Sequence, residues 1–200
     1  MIVPGHTAEG LAAAVATATQ QRLAGVAYGR FPDGELCHRI TTDELETAVV
    51  VAAADSSDAI VGLLQLQDAA RELAGSVTTV LSYMGYARQD RAFSAGEPVS
   101  ARALAAALST GTDQVVLINP HEASVTDFFT VPTMVCDVTA SLAAAIDPAH
   151  TDPLVVAPDA SARPMAVALC EALGRGEVDH VEKTRHSATR VELSTADLTV

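Results

Sequence analysis

The sequence predicts an α/β fold with a largely parallel sheet. Short runs of β-branched and other apolar residues, such as Val49–Ala52 and Gln114–Asn119, alternate with longer Ala- and Leu-rich amphipathic stretches, such as Asp58–Leu73. Strands that are apolar at consecutive positions are typical of parallel sheets, because helices cover both faces of such sheets. Their alternation with helices is the pattern of βαβ units, which build α/β domains.

The same alternation continues along the chain and gives the remaining elements. We predict strands at Val77–Tyr83, Met134–Asp137 and Leu154–Ala157, helices at Ser100–Leu108 and Ser161–Leu173, and a strand-like segment at Arg190–Leu193. The polar segment Asp147–Pro153 contains two prolines and would end a helix before a new strand begins. We therefore expect two domains, at 1–148 and 149–200. The second has about fifty residues, which is too few to bury a complete sheet.

Composition and charge exclude several classes of protein. Hydrophobic residues make up 49% of the 200-residue chain, which predicts a packed core. No apolar run reaches the ~18 residues of a membrane helix, and Met1–Gly10 lacks the basic and apolar pattern of a secretory signal. The formal net charge of −13 disfavours nucleic acids and anionic membranes as partners.

The cysteines and the basic residues are also informative. Cys37, Cys136 and Cys170 are isolated, which suits a reducing cytoplasm and argues against a disulfide framework or a CxxC zinc site. The twelve basic residues are eleven Arg and one Lys, Lys183. Arg cannot reproduce a compact ammonium group on a flexible stem, so Lys183 is a candidate functional residue. The alternative is chance, since a rare residue must stand somewhere.

Three polar segments lie where strands should end, and ligands bind at the carboxyl ends of strands in open parallel sheets. The first, Gly29–Glu35, offers the aromatic face of Phe31 and the carboxylates of Asp33 and Glu35. These groups could read an amino-bearing base. A hairpin turn with solvated acids is the alternative, because Pro-Asp-Gly is a common turn sequence.

The other two segments are candidates for binding phosphate or metal. Tyr83–Arg91 contains two planar guanidinium groups, those of Arg88 and Arg91, which can present paired donors to phosphate oxygens. A solvated loop is the alternative for this segment. In Asn119–Glu122, His121 could ligate a metal or hydrogen-bond a phosphate, and a structural histidine is the alternative.

Together, and in this order, the three segments resemble ribose-phosphate diphosphokinases. The landmarks are Phe31–Glu35, the string Gly-Tyr-Ala-Arg-Gln-Asp-Arg at Gly85–Arg91, and His121. Val156–Asp159 matches the Pro-Asp segment of that family, and Glu182–Arg185 looks like its flexible catalytic stretch, most like that of archaeal members. The resemblance covers essentially the whole chain. It implies two phosphoribosyltransferase-like domains with mostly parallel sheets, the second incomplete.

The resemblance also implies a role for each matching residue. The residues that contact the adenine of ATP would be Phe31, Asp33, Gly34 and Glu35. The rest of ATP would be held by Arg88 and Gln89, with Asp90 and Arg91 supporting them in the ATP site. The ligands of Mg²⁺ would be His121 and Asp159. The catalytic pair would be Lys183 and Arg185, of which Arg185 would also bind ribose 5-phosphate. In this family the adenine loop serves the neighbouring subunit's site, which implies a homo-oligomer.

These roles serve the transfer of diphosphate from ATP to ribose 5-phosphate. The anomeric hydroxyl would attack the β-phosphorus of ATP in line, and AMP would leave. Transfer of this kind depends on alignment and charge neutralisation more than on covalent help from the protein. The product, 5-phosphoribosyl 1-diphosphate, is used in nucleotide biosynthesis.

The chain departs from the family pattern in three places. Asn119 stands where Asp is usual, and Ala160–Ala162 replaces a glycine-rich turn after Asp159, which makes a close approach of backbone to phosphate costly. Members of the family carry a later strand that ends in two Asp, followed by a Thr-Gly-rich turn that holds the 5-phosphate. This motif is not among the 200 residues. We therefore interpret the chain as C-terminally truncated and expect no turnover from it alone. A non-catalytic regulatory relative and a phosphoribosyltransferase are the alternative functions.

Overall fold

The computed structural model describes residues 1–185 and 191–194, with side chains for residues 1–182. The chain divides into two units, Met1–Cys136 and Asp137–Val200. The predicted alternation of strands and helices is confirmed in both units. Within the described ranges, no helix is long and apolar enough to cross a membrane.

The first unit is built on a five-stranded sheet. Its elements, in chain order, are β1 (Ile2–Pro4), α1 (Glu9–Ala18), β2 (Val26–Arg30), β3 (Leu36–Ile40), β4 (Ala48–Ala54), α2 (Ser57–Leu73), β5 (Val77–Met84), α3 (Ser100–Ser109), β6 (Gln114–Ile118), a 3-10 helix (Ala123–Phe128) and β7 (Thr133–Cys136). The sheet has the strand order β1–β4–β5–β6–β7, and every neighbouring pair is parallel. Strands β2 and β3 form a separate antiparallel hairpin.

Helices cover both faces of strand β4. Val50 packs in the same apolar cluster as Leu63 and Leu66 of α2, whereas Val51 packs with Ala12 of α1. Successive residues of a strand point to opposite faces of the sheet, so neighbouring residues of β4 enter two different cores. This arrangement explains why the strand is apolar at consecutive positions rather than at alternate ones.

Helix α2 is fixed by hydrogen bonds at its start and along its buried face. The hydroxyl of Ser56 accepts a hydrogen bond from the N–H of Ala59, which caps the first turn. Farther along, the amide of the fully buried Gln67 donates to the hydroxyl of Thr79 (2.8 Å) and to the carbonyl of Leu108 (3.1 Å). Losing these partners would cost about 1–3 kcal/mol, so Gln67 fixes α2 against β5 and α3.

The second unit has fewer and shorter elements. They are α4 (Thr139–Ala145), β8 (Leu154–Ala157), a 3-10 helix (Ala160–Ala162), α5 (Arg163–Leu173), β9 (Glu177–His180), β10 (Glu182–Arg185) and β11 (Val191–Ser194). Strands β8 and β9 are parallel, and β10 and β11 form an antiparallel pair. Helix α5 ends at Gly174, whose φ of 67° is the left-handed conformation that glycine adopts without strain.

Among the described residues the predicted elements are all present, with ends that differ by no more than two residues from the predicted ones; Arg190, the predicted start of the last element, lies outside the described residues. The elements that the sequence analysis does not predict are β1, α1, the β2–β3 hairpin, α4, β9 and β10. Most are short, and a few residues carry too little periodicity to be recognised. The division between the units lies earlier than the boundary predicted from Asp147–Pro153, because α4 packs against α5 and so belongs to the second unit.

Gly85 links the packing of the sheet to the segment that follows β5. Its N–H donates to the carbonyl of Ala54 (2.9 Å), and a Cβ atom at position 85 would lie 2.2 Å from that carbonyl oxygen. We predict that Gly85→Ala lowers the free energy of unfolding by about 1–3 kcal/mol in urea denaturation, because the backbone of β4 must shift. Gly10→Ala is the contrasting control, since a Cβ atom there meets nothing within 4 Å and alanine in helix α1 should leave stability unchanged or raise it. Wild-type stability in Gly85→Ala would contradict the close packing of this turn.

Candidate functional site

The carboxyl ends of the five parallel strands lie at one edge of the first unit's sheet. Gly85–Arg91 follows β5, and Asn119–Glu122 follows β6, its neighbour in the sheet. Arg88 and His121 therefore belong to adjacent strand ends on the same edge, which is where open parallel sheets bind ligands. Asp159 follows β8 in the second unit.

The Gly85–Arg91 segment is anchored by its backbone and by one small side chain. Tyr86 has a left-handed backbone with φ of 61°, and its carbonyl accepts a hydrogen bond from the N–H of Gln89 (3.0 Å). Ala87 is buried, whereas Arg88 beside it is exposed. The segment is thus held against the core while the guanidinium group of Arg88 stays accessible to a ligand.

Gln89 connects this segment to the start of α3. The hydroxyl of Ser100 donates a short hydrogen bond to Oε1 of Gln89, and the N–H of Ala101 donates to the Gln89 carbonyl (3.1 Å). The side-chain oxygen of Gln89 therefore has a partner within the protein. The half-buried Asp90 follows directly. The structure places Gln89 where it stabilises the loop that carries Arg88.

Arg91 stacks on an aromatic residue that the sequence analysis does not single out. Its guanidinium carbon lies 5.4 Å from the centre of the Phe93 ring, within the range of a cation–π interaction. The carboxylate of Glu97 accepts hydrogen bonds from the N–H groups of Phe93 (2.9 Å) and Ser94 (3.0 Å). Phe93 is 64% exposed, so it lies outside the core. An aromatic residue two positions after Arg91 is the sequence signal that could have identified it.

Asn119 has a left-handed backbone, with φ of 40°, and its N–H donates to the carbonyl of Cys136 on the neighbouring strand (3.2 Å). Asn and Asp adopt this conformation more readily than other residues with a side chain. The replacement of Asp by Asn therefore keeps the turn that leads from β6 to His121. His121 itself is exposed at the sheet edge.

The Phe31–Glu35 segment is the tip of the β2–β3 hairpin. The N–H of Phe31 donates to the carbonyl of Glu35 (2.8 Å), and the N–H of Gly34 donates to the carbonyl of Phe31 (2.9 Å). Gly34 has φ of 95°, which only glycine adopts readily. The segment therefore forms the hairpin turn that the sequence analysis gives as its alternative structure. It leaves Phe31 52% exposed, with Asp33 and Glu35 also exposed.

Three rings pack together between the hairpin and the end of β1. The centroids of His6, Tyr28 and His38 lie 5.2–6.0 Å apart, and the Tyr28 hydroxyl donates to the carbonyl of Pro4 (2.8 Å). Burial, with a smaller effect of Glu9, raises the pKa of Tyr28 to about 12. Both ring nitrogens of His38 are buried and have no hydrogen-bond partner within the described residues. The rings line a cavity of about 220 Å³.

Asp159 caps the helical segment after β8. Its Oδ1 accepts hydrogen bonds from the N–H (3.1 Å) and hydroxyl (2.6 Å) of Ser161 and from the N–H of Ala162 (3.2 Å). Ala160–Ala162 forms a 3-10 helix without a positive φ. The backbone cost that we expect from the missing glycines therefore does not arise in this conformation, because no residue of the turn needs a left-handed backbone.

Lys183 and Arg185 lie on β10, where they pair across the strands with Leu193 and Val191. Their side chains lie outside the described residues. The two expected metal ligands, His121 and Asp159, follow different strands, β6 and β8. Among the described residues, no group of three or more His, Cys, Asp or Glu side chains could hold a metal ion.

The fold, with Arg88 and His121 at adjacent strand ends, places the chain among α/β proteins whose ligand sites lie at the carboxyl ends of parallel strands. A family model for the N-terminal domain of ribose phosphate pyrophosphokinase matches residues 1–111. A ribose-phosphate pyrophosphokinase of Halobacterium salinarum is 46% identical over 200 residues, which cover 99% of this chain and 71% of the relative. Another, of Methanosarcina mazei, is 38% identical over 202 residues, covering 100% of this chain and 67% of the relative. The chain belongs to the ribose-phosphate pyrophosphokinase family, as its sequence motifs indicate.

The fold agrees with a solved structure. The crystal structure of phosphoribosylpyrophosphate synthetase from Mycobacterium smegmatis superposes with a TM-score of 0.78 at 24% identity, covering 97% of this chain. This likeness confirms the α/β fold with a mostly parallel sheet. The chain spans 66% of that protein, so these comparisons cover part of the length of each relative.

His38 gives the stability of the first unit a pH dependence. Burial and the nearby His6 lower its pKa below the ordinary value of 6.5, so the unfolded chain takes up the proton first as the pH falls. The contribution of the neutral His38 ring to the free energy of unfolding is complete above pH 6.5. It is lost as the pH falls towards the lowered pKa of the folded state. We predict that His38→Leu loses less stability than wild type when urea denaturation is repeated from about pH 8 to about pH 5. Parallel losses in the two proteins would contradict this role.

Proposed function

We propose that the chain supplies the ATP site and the catalytic residues of a ribose-phosphate pyrophosphokinase, which transfers the diphosphate of ATP to the anomeric hydroxyl of ribose 5-phosphate and releases AMP. The observation that supports this reaction most directly is the placement of Gly85–Arg91 and Asn119–Glu122 at adjacent ends of parallel strands. In-line transfer needs groups that align the phosphates and neutralise their charge. Guanidinium and imidazole groups on one sheet edge meet that need.

The polyphosphate of ATP is held by the segment after β5. Arg88 is exposed at the sheet edge, and Arg91 is oriented by its contact with Phe93. A guanidinium group can donate two parallel hydrogen bonds to phosphate oxygens, which makes arginine well suited to this task. Gln89, whose bonds to Ser100 and Ala101 keep the segment in place, holds ATP together with Arg88, and Asp90 supports them.

The adenine of ATP is read by the tip of the hairpin, through Phe31, Asp33, Gly34 and Glu35. The exposed ring of Phe31 offers a stacking face, and the two carboxylates offer acceptors for the amino group of the base. An apolar ring that is half exposed at the end of a hairpin is suited to contact a second molecule. We infer that the tip enters the site of a neighbouring subunit, so that the protein works as a homo-oligomer.

Mg²⁺ accompanies ATP, with His121 and Asp159 as its protein ligands. The carboxylate of Asp159 suits a hard cation, whereas imidazole is a less usual ligand for Mg²⁺. The described residues offer no group of three ligands, and phosphate oxygens and water would complete the coordination shell. When bound, the ion neutralises phosphate charge. The role of the protein is to hold the carboxylate, which Ser161 and Ala162 keep in place.

Lys183 and Arg185 stabilise the charge that develops during transfer, and Arg185 also binds ribose 5-phosphate. An ammonium group and a guanidinium group lower the energy of a transition state whose charge is spread over phosphate oxygens. This task explains why a chain with eleven Arg retains one Lys. The isolated cysteines support a place in the reducing cytoplasm.

Arg88 provides the direct test of nucleotide binding. We predict that Arg88→Gln raises the Kd for Mg–ATP by about tenfold or more, because a charge-assisted contact with phosphate is lost. Isothermal titration calorimetry of the 200-residue chain measures this change. Arg102→Gln is the matched control, since Arg102 is an exposed arginine on α3. Equal affinities of Arg88→Gln and wild type would remove Arg88 from the site.

Lys183 provides the test of catalysis. Residues 1–200 replace the matching segment of the Halobacterium salinarum relative, and AMP release from ATP and ribose 5-phosphate is measured. We predict that Lys183→Arg in this chimera lowers kcat by about 100-fold or more and changes KM little, because the ammonium acts mainly in the transition state. Arg102→Lys should leave both constants unchanged. A chimera with wild-type Lys183 that releases no AMP would count against the proposed reaction.

A further inference from the structure

The adenine-reading tip belongs to a hairpin that stands outside the main sheet. Strands β2 and β3 pair only with each other among the described residues. A two-stranded hairpin is marginally stable by itself in water, so its conformation depends on what it packs against. In this chain it packs against helix α2.

Gln65 of α2 binds the backbone of β3 in the way that a neighbouring strand would. Its Nε2 donates to the carbonyl of Leu36 (2.8 Å), and its Oε1 accepts from the N–H of His38 (3.0 Å). One side chain therefore satisfies a donor and an acceptor on the open edge of the hairpin. Both bonds are partly buried, which makes the loss of either one costly.

Arg30 ties the tip itself to the first turn of α2. Its Nη1 donates to the carbonyl of Gly34 (2.7 Å), and its Nη2 forms a short ion pair with the carboxylate of Asp58. Gly34 lies between Asp33 and Glu35, so this bond holds the backbone on which the two acceptors stand. The tip is thereby held to α2 from β2, through Arg30, as well as from β3, through Leu36 and His38.

Gly62 allows the helix and the hairpin to approach closely. A Cβ atom at position 62 would lie 2.6 Å from Nε2 of His38. The absence of a side chain at this point lets α2 lie directly against β3. The contact is therefore close-packed along its length, from Asp58 through Gly62 to Gln65.

We propose that Gln65 and the Arg30–Asp58 pair are positioning residues that set the preference for adenine over other bases. This inference rests on the proposed function, in which the tip reads the base. A site built to accept hydrogen bonds from an amino group rejects an analogue that lacks that group. The rejection requires acceptors at fixed positions, and the contacts with α2 fix them. Neither Gln65 nor Asp58 touches the nucleotide.

The test compares Mg–ATP with Mg–ITP, whose base carries an oxo group in place of the 6-amino group. Calorimetry gives the two Kd values for the 200-residue chain and for Gln65→Leu and Arg30→Gln. We expect the ratio of the ITP and ATP Kd values to fall at least fivefold in both variants, because the acceptors lose their fixed position. Arg71→Gln is the matched control, since its ion pair with Asp113 at the other end of α2 is similarly exposed.

Hydrogen exchange supplies a readout that does not depend on nucleotide. We expect the amides of β3 to exchange at least tenfold faster in Gln65→Leu and Arg30→Gln, while the amides of β4 keep their wild-type rates and so show that the variants fold. Unchanged exchange in β3 would refute the docking by α2. Faster exchange with an unchanged Kd ratio, or a wild-type chain that does not distinguish ATP from ITP, would refute the role in base selection.

The proposed function and this inference fail in different ways. Arg88→Gln weakens Mg–ATP and Mg–ITP equally if Arg88 binds polyphosphate, so the Kd ratio stays at its wild-type value. If Arg88→Gln changes the Kd of neither Mg–ATP nor Mg–ITP, the result counts against the proposed polyphosphate site alone. A Kd ratio that is unchanged by Gln65→Leu and Arg30→Gln counts against the positioning role alone.

Discussion

The parallel pairing of β4, β5 and β6 is the constraint on which the site depends. Parallel strands end at the same edge, so Gly85–Arg91 and Asn119–Glu122 become neighbours although they lie far apart in the chain. If β6 ran antiparallel to β5, the imidazole of His121 would lie at the opposite edge from Arg88. The pairing is held by cores on both faces of the sheet and by the buried amide of Gln67, which joins α2 to β5 and α3.

At that edge, small or backbone-bound residues hold the segment while charged side chains stay accessible. Ala87 is buried beside the exposed Arg88, and the backbone of Asn119 is bound to the neighbouring strand beside the exposed His121. Left-handed residues make the sharp turns that this arrangement needs. Asn meets the requirement at position 119 as well as Asp does, so the departure from the family pattern is conformationally neutral.

The hairpin shows a different way to position functional groups. It forms no ladder with the main sheet, although Ile40 at its base is buried in the core, and near the tip its edge is satisfied by a side chain from a helix. Such a contact is made of a few hydrogen bonds and one ion pair, so it is weaker than the core. The tip can therefore respond to single substitutions that leave the sheet intact.

The sequence alone determined strands β4 to β8 and helices α2, α3 and α5, because burial on both faces imposes continuous apolar strands and amphipathic helices. It also determined the family, because Gly85–Arg91 and its companion motifs are specific. Only the tertiary structure decided the strand order, the partners of Gln65 and Arg30, the stacking of Phe93 and the unit to which α4 belongs. These features depend on contacts between residues distant in the chain, and the local pattern of polar and apolar residues carries no information about which distant groups will meet.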